Sequence, residues 1–549
     1  MLWIALHLPL LSLESFAATL HCAAPLDASH VASQEAHPAA VEPAVQPPLP
    51  LALMDARCIV SANPAAQALG IKPGLKRATA LALAPHLVLG QAHPARDAQA
   101  LVAVAHVALG FTPSVAIQPS TDPAVAPHTV LLDVQRSLRY FGGLQALLQR
   151  LHHALAPLGH RIHTVSAATP QGAALLARVH RQWHGADLAA LCAALDAAPV
   201  WLLGPGREHW EALQGMGLRT LGDLRRLPRA GLARRFGEAL LHELDCALGA
   251  RPDPREPITL PPAFESRLEL FARADTTEQV LYGASVLLER LVAWLSAQHA
   301  FVRRFTLVMQ HEARRRSDAQ TPADTHLSIA LGEPSRDAAH LLVLLRERLA
   351  QVELPAPTLD LQLHASDIAR RAPPNSELFP TPGSEREGLT RLIERLQARL
   401  GPEQVQRLVH VEDHRPERGS ELQPADLGSA AKSTAKPAAT ATAKEVAISP
   451  PQGRSEPARG PHSSCPVWLI HPPAPLPERQ SRPVLDGQAL QLLSGPERIE
   501  AGWWDAGLAE RDYFIAQTPE GALVWIYRAR LPLSVAAGDQ GWFLQGRFA

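Results

Sequence analysis

Residues 201–228 read WLLGPGREHWEALQGMGLRTLGDLRRLP. An apolar residue, the triplet Gly204-Pro205-Gly206, a helix, and then GMGLRTLGDL is the pattern of helices joined by tight hairpins. The glycines allow the turn, and the backbone N–H groups behind it, with the helix start that follows, can face a phosphate. Such a grip holds nucleic acid without reading its sequence. Pro205 removes one of the donors. Arg225, Arg226, Arg229, Arg234 and Arg235 follow closely and would add phosphate-binding charge. The plainer reading is that the turns only connect helices and the arginines are solvated surface. Read as a DNA contact, the stretch makes Gly204, Gly206, Arg207, Arg234 and Arg235 the candidate binding residues.

Upstream of this hairpin, strands alternate with helices. Residues 2–8 read as a buried strand, with a helix starting in PLLSLE. A small helical segment follows over 57–85, then a helix over 93–111, the strand PHTVLLDVQ (127–135), a helix over 142–159 and the strand RIHTVSAAT (161–169). That alternation argues a mixed α and β sheet domain. Downstream, SRLELFA leads into the helix TTEQVLYGASVLLERLVAWLSAQ and the strand FVRRFTLVMQH. THLSIALG, SRDAAHLLVLLRERLAQ and TLDLQLHASDI repeat the strand–helix–strand idea. The order is βαββαβ, four strands with two helices on one face. Residues 415–465 are rich in Ala, Ser, Thr and Pro with little apolar mass, the composition of a disordered linker. Apolar and aromatic residues return at PVWLIHPP, so the tail reads as a small β-rich module.

The 549 residues exceed what one core supports. A net charge of −1 sets no global field toward nucleic acid, although a neutral sum can hide local basic faces. Cys22, Cys58, Cys192, Cys246 and Cys465 lie far apart with no paired spacing, which argues against a zinc site or a disulfide framework and suits a reducing cytoplasm. The opening MLWIALHLPLLSLESF could be an export signal or a core strand. The first Lys or Arg is Arg57 and Pro9 interrupts the apolar run, so the basic n-region of a signal is missing. No other stretch reads as about 20 apolar residues, the length of a membrane span. The expectation is a cytoplasmic protein with no membrane partner.

Strand, helical insert, βα sheet, helical hairpin and βαββαβ unit, in that order, resemble the Y-family DNA polymerases. LGPGREHWEALQGMGLRTLGDLRRLP…LARRFG looks like that family's thumb and SANPAAQALGIKPGL like its fingers. The resemblance implies an α+β multidomain right hand: palm over 1–20 and 85–195, fingers over 21–84, a helix–hairpin–helix thumb over 196–255 and a little finger over 262–368. A clamp-motif segment and disordered linker would fill 369–465, and a partner-binding module 466–549. PHTVLLDVQRSLRYFGG, the strands around 267 and 302, and GPERIEAGWWDAGLAERDYF in the tail resemble, more narrowly, the Y-family-like subunit of bacterial mutagenesis cassettes.

Active members of the family carry two carboxylates in a first strand like HVDMDAFF and an Asp-Glu pair before an LDV. Such a cluster neutralises two divalent cations about 4 Å apart and holds the attacking and leaving oxygens. Laid on that pattern, WIALHLPLL puts Ala5 and His7 where the aspartates belong, and HTVLLDV puts His128 and Thr129 where Asp-Glu belong. Asp133 is the later Asp of LDV. Pro9 and Leu10 replace the aromatic pair that checks the sugar, Pro64 and Gln67 the fingers Tyr and Arg, and QGAALLAR the NKFLAK whose lysine faces phosphate. The nearest acid to the first strand is Glu14, a helix position.

The expectation is therefore a palm kept as a scaffold, with no cofactor, no metal and no catalytic residue. In RRAPPNSELFPTPG, Asn375-Ser376-Glu377-Leu378-Phe379 resembles the QxxLF peptide that binds the β sliding clamp, with Asn375, Leu378 and Phe379 as its contacts. The alternative is that Leu378 and Phe379 pack back on the little finger. Trp503, Trp504, Tyr513, Phe514, Trp525, Tyr527, Trp542 and Phe543 form a partner surface or, for most of them, the core of the tail. The resemblance further implies primer–template DNA, an error-prone C-family DNA polymerase and a RecA-like cassette protein as partners, in SOS mutagenesis. Two rivals stay open: an active translesion polymerase with unusual ligands, and a structure-specific DNA-binding protein without a polymerase partner.

Overall fold

The opening stretch forms the strand Trp3–His7, which takes the middle of a five-stranded sheet. In this computed structural model the described residues are 1–20, 49–119, 127–185, 187–312, 322–370, 382–425, 466, 468–505, 507–530 and 541–548. They divide into two units, Met1–Arg399 and Leu400–Ala549. Across the first sheet the strands run Val115–Ile117, Thr129–Asp133, Trp3–His7, His163–Ala167 and Gln182–His184. Neighbours are antiparallel except the last pair.

A central strand covered on both faces must be apolar on both. Ile4, Leu6 and Leu8 join Val130 and Leu132 against the helices Pro94–Leu109 and Leu144–Leu155. Ala5, with Leu131, Val165 and Ala167, meets the helix Pro170–Ala177 and the helical region beyond it. Every side chain of Pro170–Ala177 is buried, and small Ala173 and Ala174 let it lie close on the strand. Helix Pro94–Leu109 begins with Pro94 in its first turn and His93 accepting from the Arg96 N–H. Buried Asp97 then accepts from Ser12 and, at 2.6 Å, from Ser15, tying that helix to Leu11–Leu20.

The segment expected to be helical over 57–85 holds the short helices Pro64–Ala68 and Arg77–Leu83 but also the strand Ile59–Ala62, which joins Leu51–Met54 and Val88–Gln91 in a three-stranded sheet. Residues 21–48 lie outside the described residues. From about 199 to 250 the pattern reads as helices and short turns, and the structure is helical over 188–247, starting one helix earlier. The βαββαβ unit is present: Phe264–Ala274, helix Thr277–Ala297, Ala300–His311, Asp324–Ser335, helix Ala338–Leu349 and Thr358–Arg370. Its antiparallel sheet is ordered with Asp324–Ser335 at one edge, then Ala300–His311, Thr358–Arg370 and Phe264–Ala274. Helix Thr277–Ala297 starts in a capping box of Thr276 and Gln279. It is long and apolar enough to cross a bilayer, which the sequence reading did not expect, but its leucines and Trp294 fill the core between the two helices and the sheet.

The expected linker is not one continuous coil. Helix Pro382–Leu400 and the hairpin Gln406–His410/Ser420–Pro424 fall inside it. A buried carboxylate helps dock the helix: Glu394 accepts from the Gly332 N–H (2.7 Å), the Glu333 N–H (3.1 Å) and His340 Nε2 (2.7 Å), while Ala398 joins the core and Arg391 and Arg395 pair with Asp337 and Glu347. In the second unit a five-stranded antiparallel sheet runs Trp468–Leu476, Gly541–Arg547, Leu523–Ala529, Ala509–Gln517 and Gln491–Ala501. Most tail aromatics are core, with Tyr513 stacked on Trp525 at 4.2 Å and Trp542 buried. Trp503 and Trp504 are exposed. The hairpin belongs to this unit. Glu417 beyond its first strand pairs with Arg511 (2.9 Å) and accepts from Gln545 (2.9 Å), and buried Arg415 reaches Asp505 at 2.7 Å.

Candidate functional site

Antiparallel pairing sets His7 opposite Thr129, and opposite His163 on the other side. His7 Nδ1 and Thr129 Oγ1 share a 2.9 Å hydrogen bond, and the rings of His7 and His163 lie 6.0 Å apart. His163 Nδ1 is in turn spent on the Ala177 carbonyl at 3.0 Å. The two motifs read as replaced metal ligands are therefore brought together at one end of the sheet. Burial first, then the charges of His128, Arg178 and His163, pushes the His7 pKa from 6.5 down to about 3. The imidazole is neutral at physiological pH.

Arg178 is the residue that sequence reading passed over. It closes QGAALLAR, donates to the Leu202 carbonyl at 2.8 Å and stacks over Trp201. Its signal was simply an arginine at the end of the segment whose lysine faces phosphate in the family. A seat for two divalent cations needs several negative charges. At this end of the sheet the side chains are a neutral imidazole, a hydroxyl, a second histidine and a guanidinium close enough to repel a proton. Such a donor set does not fit the cations. Among the described residues no group of three or more His, Cys, Asp or Glu is placed to hold a metal ion.

The other acids near the motif have structural tasks. Asp133 accepts from the Gln135 N–H at the far end of its strand, and Glu14 accepts from the Arg161 N–H (3.0 Å) beside His160. In the small sheet Pro64 occupies the first turn of its helix behind the Asn63 cap, and Gln67 Nε2 donates to the Ala62 carbonyl. Neither is free to hold a triphosphate.

The helical hairpin forms as Val200–Leu202, Gly204–Glu208, Trp210–Gly215 and Leu221–Arg225, the last with a Thr220–Asp223 capping box. The Gly204 N–H does not face outward: it donates to Glu243 Oε2 at 3.0 Å, while Glu243 Oε1 accepts from Gln171. That corrects its reading as a phosphate donor. Burial raises the Glu243 carboxyl above its ordinary range, against the pull of the Gly204 N–H and Arg178. Sequence reading missed Glu243 because it arrives from a helix nearly forty positions on. Of the trailing arginines, Arg225 pairs with Asp196, Arg226 with Asp223 and Arg229 with Asp245. Arg207, Arg234 and Arg235 are exposed, with no ion pair among the described residues. His209 and Phe236, 5.4 Å apart, hold their two segments side by side. Asn375, Leu378 and Phe379 lie outside the described residues.

A helical hairpin on a five-stranded sheet, followed by a βαββαβ unit, is a Y-family polymerase-like fold. A model of the impB/mucB/samB family matches residues 33–178. The chain is 30% identical over 510 residues to Protein ImuB of Caulobacter vibrioides, in strain NA1000 / CB15N and in strain ATCC 19089 / CIP 103742 / CB 15, covering 87% of this chain and 100% of that one. It belongs to the ImuB family. Solved structures of Dbh DNA polymerase, an insertion ternary complex among them, cover 67% of this chain and 99% of theirs at 15% identity with a TM-score of 0.35, too loose a fit to place any residue.

Proposed function

We propose that the chain is a non-catalytic Y-family homologue serving as a DNA- and clamp-binding adaptor in damage-induced, error-prone translesion synthesis. The observation that carries this is the end of the first strand, where His7, Thr129, His163 and Arg178 stand in place of a carboxylate cluster. Phosphoryl transfer by two metals has nothing there to hold them. The exposed Arg207, Arg234 and Arg235 beside the hairpin support a grip on primer–template backbone. Asn375, Leu378 and Phe379 would tether the β sliding clamp. Synthesis would then belong to an error-prone C-family polymerase, recruited with a RecA-like cassette protein in the cytoplasm. Tethering raises effective concentration without new chemistry.

Primer extension by the purified full chain, with Mg²⁺ and separately with Mn²⁺, tests this alongside anisotropy of the same primer–template. Binding without extension supports the adaptor. Template-directed extension that survives purification controls overturns it. Loss of clamp retention in an L378A/F379A double variant is the expected result for the tether.

A further inference from the structure

The chain as a whole is balanced, 52 basic residues against 53 acidic. Between Asp133 and Asp187, however, it contains no Asp or Glu, while Arg136, Arg139, Arg150, Arg161, Arg178 and Arg181 fall within that run. Three of these, Arg136, Arg139 and Arg150, are exposed and make no ion pair among the described residues. They surround the short helix Leu138–Phe141, which follows the Asp133 end of its strand. Asp133 pairs with Trp3 and Thr129 with His7, so this helix sits at the opposite end of the sheet from His7. The carboxylate nearest in sequence, Asp133, accepts from the Gln135 N–H.

Tyr140 stands in the middle of this charge at 84% exposure, while Tyr513 and Tyr527 are buried. A phenol ring left this bare in water gives up the apolar stabilisation a tyrosine usually takes from burial. Its position is nevertheless fixed. The helix ends at Gly142 and Gly143, both with positive φ (81° and 108°), a reversal that a Cβ would oppose. Next to Tyr140, Phe141 turns inward and stacks on Phe111 at 5.2 Å. Tyr140 rests edge-on against Phe141 at 5.0 Å, and the Arg150 guanidinium lies over the same Phe141 ring at 5.8 Å. The result is an exposed aromatic ring in a stretch whose three exposed guanidinium groups make no ion pair among the described residues.

We propose that Arg136, Arg139, Tyr140 and Arg150 form a binding site for single-stranded DNA. A flat ring stacks on the face of an unpaired base, and arginines beside it take the flanking phosphates. In a duplex those base faces are covered by their neighbours, so the exposed ring selects single strand over double. This site is distinct from the arginines beside the helical hairpin, and it goes beyond the adaptor reading, standing whether or not the chain polymerises.

The test is anisotropy of a fluorescein-labelled oligo-dT and, separately, of a blunt duplex, titrated with the full chain over a range of salt. Y140A is expected to weaken oligo-dT binding about tenfold. Y140F should retain it, since the ring and not the hydroxyl stacks. R136Q/R139Q/R150Q should lower the salt slope for oligo-dT by about 2, roughly 0.7 per phosphate released. Duplex affinity should stay within about twofold in all three, which also shows the variants folded. Unchanged oligo-dT binding overturns the proposal, and is what a patch for an acidic protein surface would give. Parallel loss of both ligands overturns the selectivity for single strands. Failure of the hairpin grip shows only in the duplex arm.

Discussion

His7 carries a consequence for stability as well as for chemistry. Folded, it titrates near pH 3, against 6.5 when unfolded. Protonation therefore favours the unfolded chain. The contribution is complete above pH 6.5 and drains away as pH falls from 6.5 toward 3, by up to about 4–5 kcal/mol at the lower end. Buried His106 has the same sign, being held down to about 4 by burial. We expect H7Q to move the acid-unfolding midpoint of the Met1–Arg399 unit to lower pH, followed by circular dichroism. A midpoint that holds still or rises would show that His7 is not the burdened group. Ala5 gives a second expectation. It is fully buried against Leu131, Val165 and the Pro170–Ala177 helix. A5D would bury a carboxylate among Leu131, Val165 and the helix alanines, at a cost of about 3 kcal/mol or more. A large drop in Tm without any gain of extension is the expected outcome, and an unchanged Tm would mean the strand end is open to solvent. Much of this site was legible beforehand. Matching two motifs placed His7 and Thr129 at one strand end, because antiparallel register leaves little freedom. Arg178 and Glu243 were not legible, since each reaches the site across the tertiary fold and nothing in its own neighbourhood marks it.

At the scale of elements, the helix Pro382–Leu400 depends on Glu394. Removing that carboxylate leaves the Gly332 and Glu333 N–H groups and His340 without their acceptor. These groups are half-buried, so each lost bond costs about 1 kcal/mol, the lower end of the range for a buried group left unsatisfied. E394A should therefore loosen the helix, which Ala398 and the Arg391–Asp337 and Arg395–Glu347 pairs still hold: hydrogen exchange accelerates across 388–400 while the sheet beneath stays protected. Equal protection in both forms would contradict the assignment. Composition disguised this helix. Leu389 and Leu392 are exposed and the anchoring residue is a glutamate, the reverse of the apolar stripe that announces a docked helix. The long helices Thr277–Ala297 and Pro94–Leu109 were legible because their periodicity spans many turns. The strands Leu51–Met54, Ile59–Ala62 and Val88–Gln91 were not. Each has four residues without clean alternation, and Leu51–Met54 pairs in parallel with a strand more than thirty positions away.

For the whole molecule, the second unit begins earlier than tail composition suggested. Glu417 and Arg415, ahead of residues 426–465, satisfy Arg511, Gln545 and Asp505 beyond them. A fragment of 400–549 should melt cooperatively. The shorter 466–549 strips partners from buried polar groups and should melt lower or not fold. Matching melting curves for the two would show the hairpin to be an ornament.

The close seat of Pro170–Ala177 on Ala5 bears on how such a chain can change over generations. A single carboxylate introduced at Ala5 meets the alanines of the helix packed on it. The chain loses stability at once, while Arg178 repels a cation and neither Thr129 nor His163 adds a negative charge to hold one. Several replacements would have to arrive together, and each intermediate would be less fit to fold. On the adaptor reading proposed above, packing of this kind works as a ratchet: with the helix seated on the strand, selection can refine the chain as a scaffold but meets a stability cost at each step toward a metal seat.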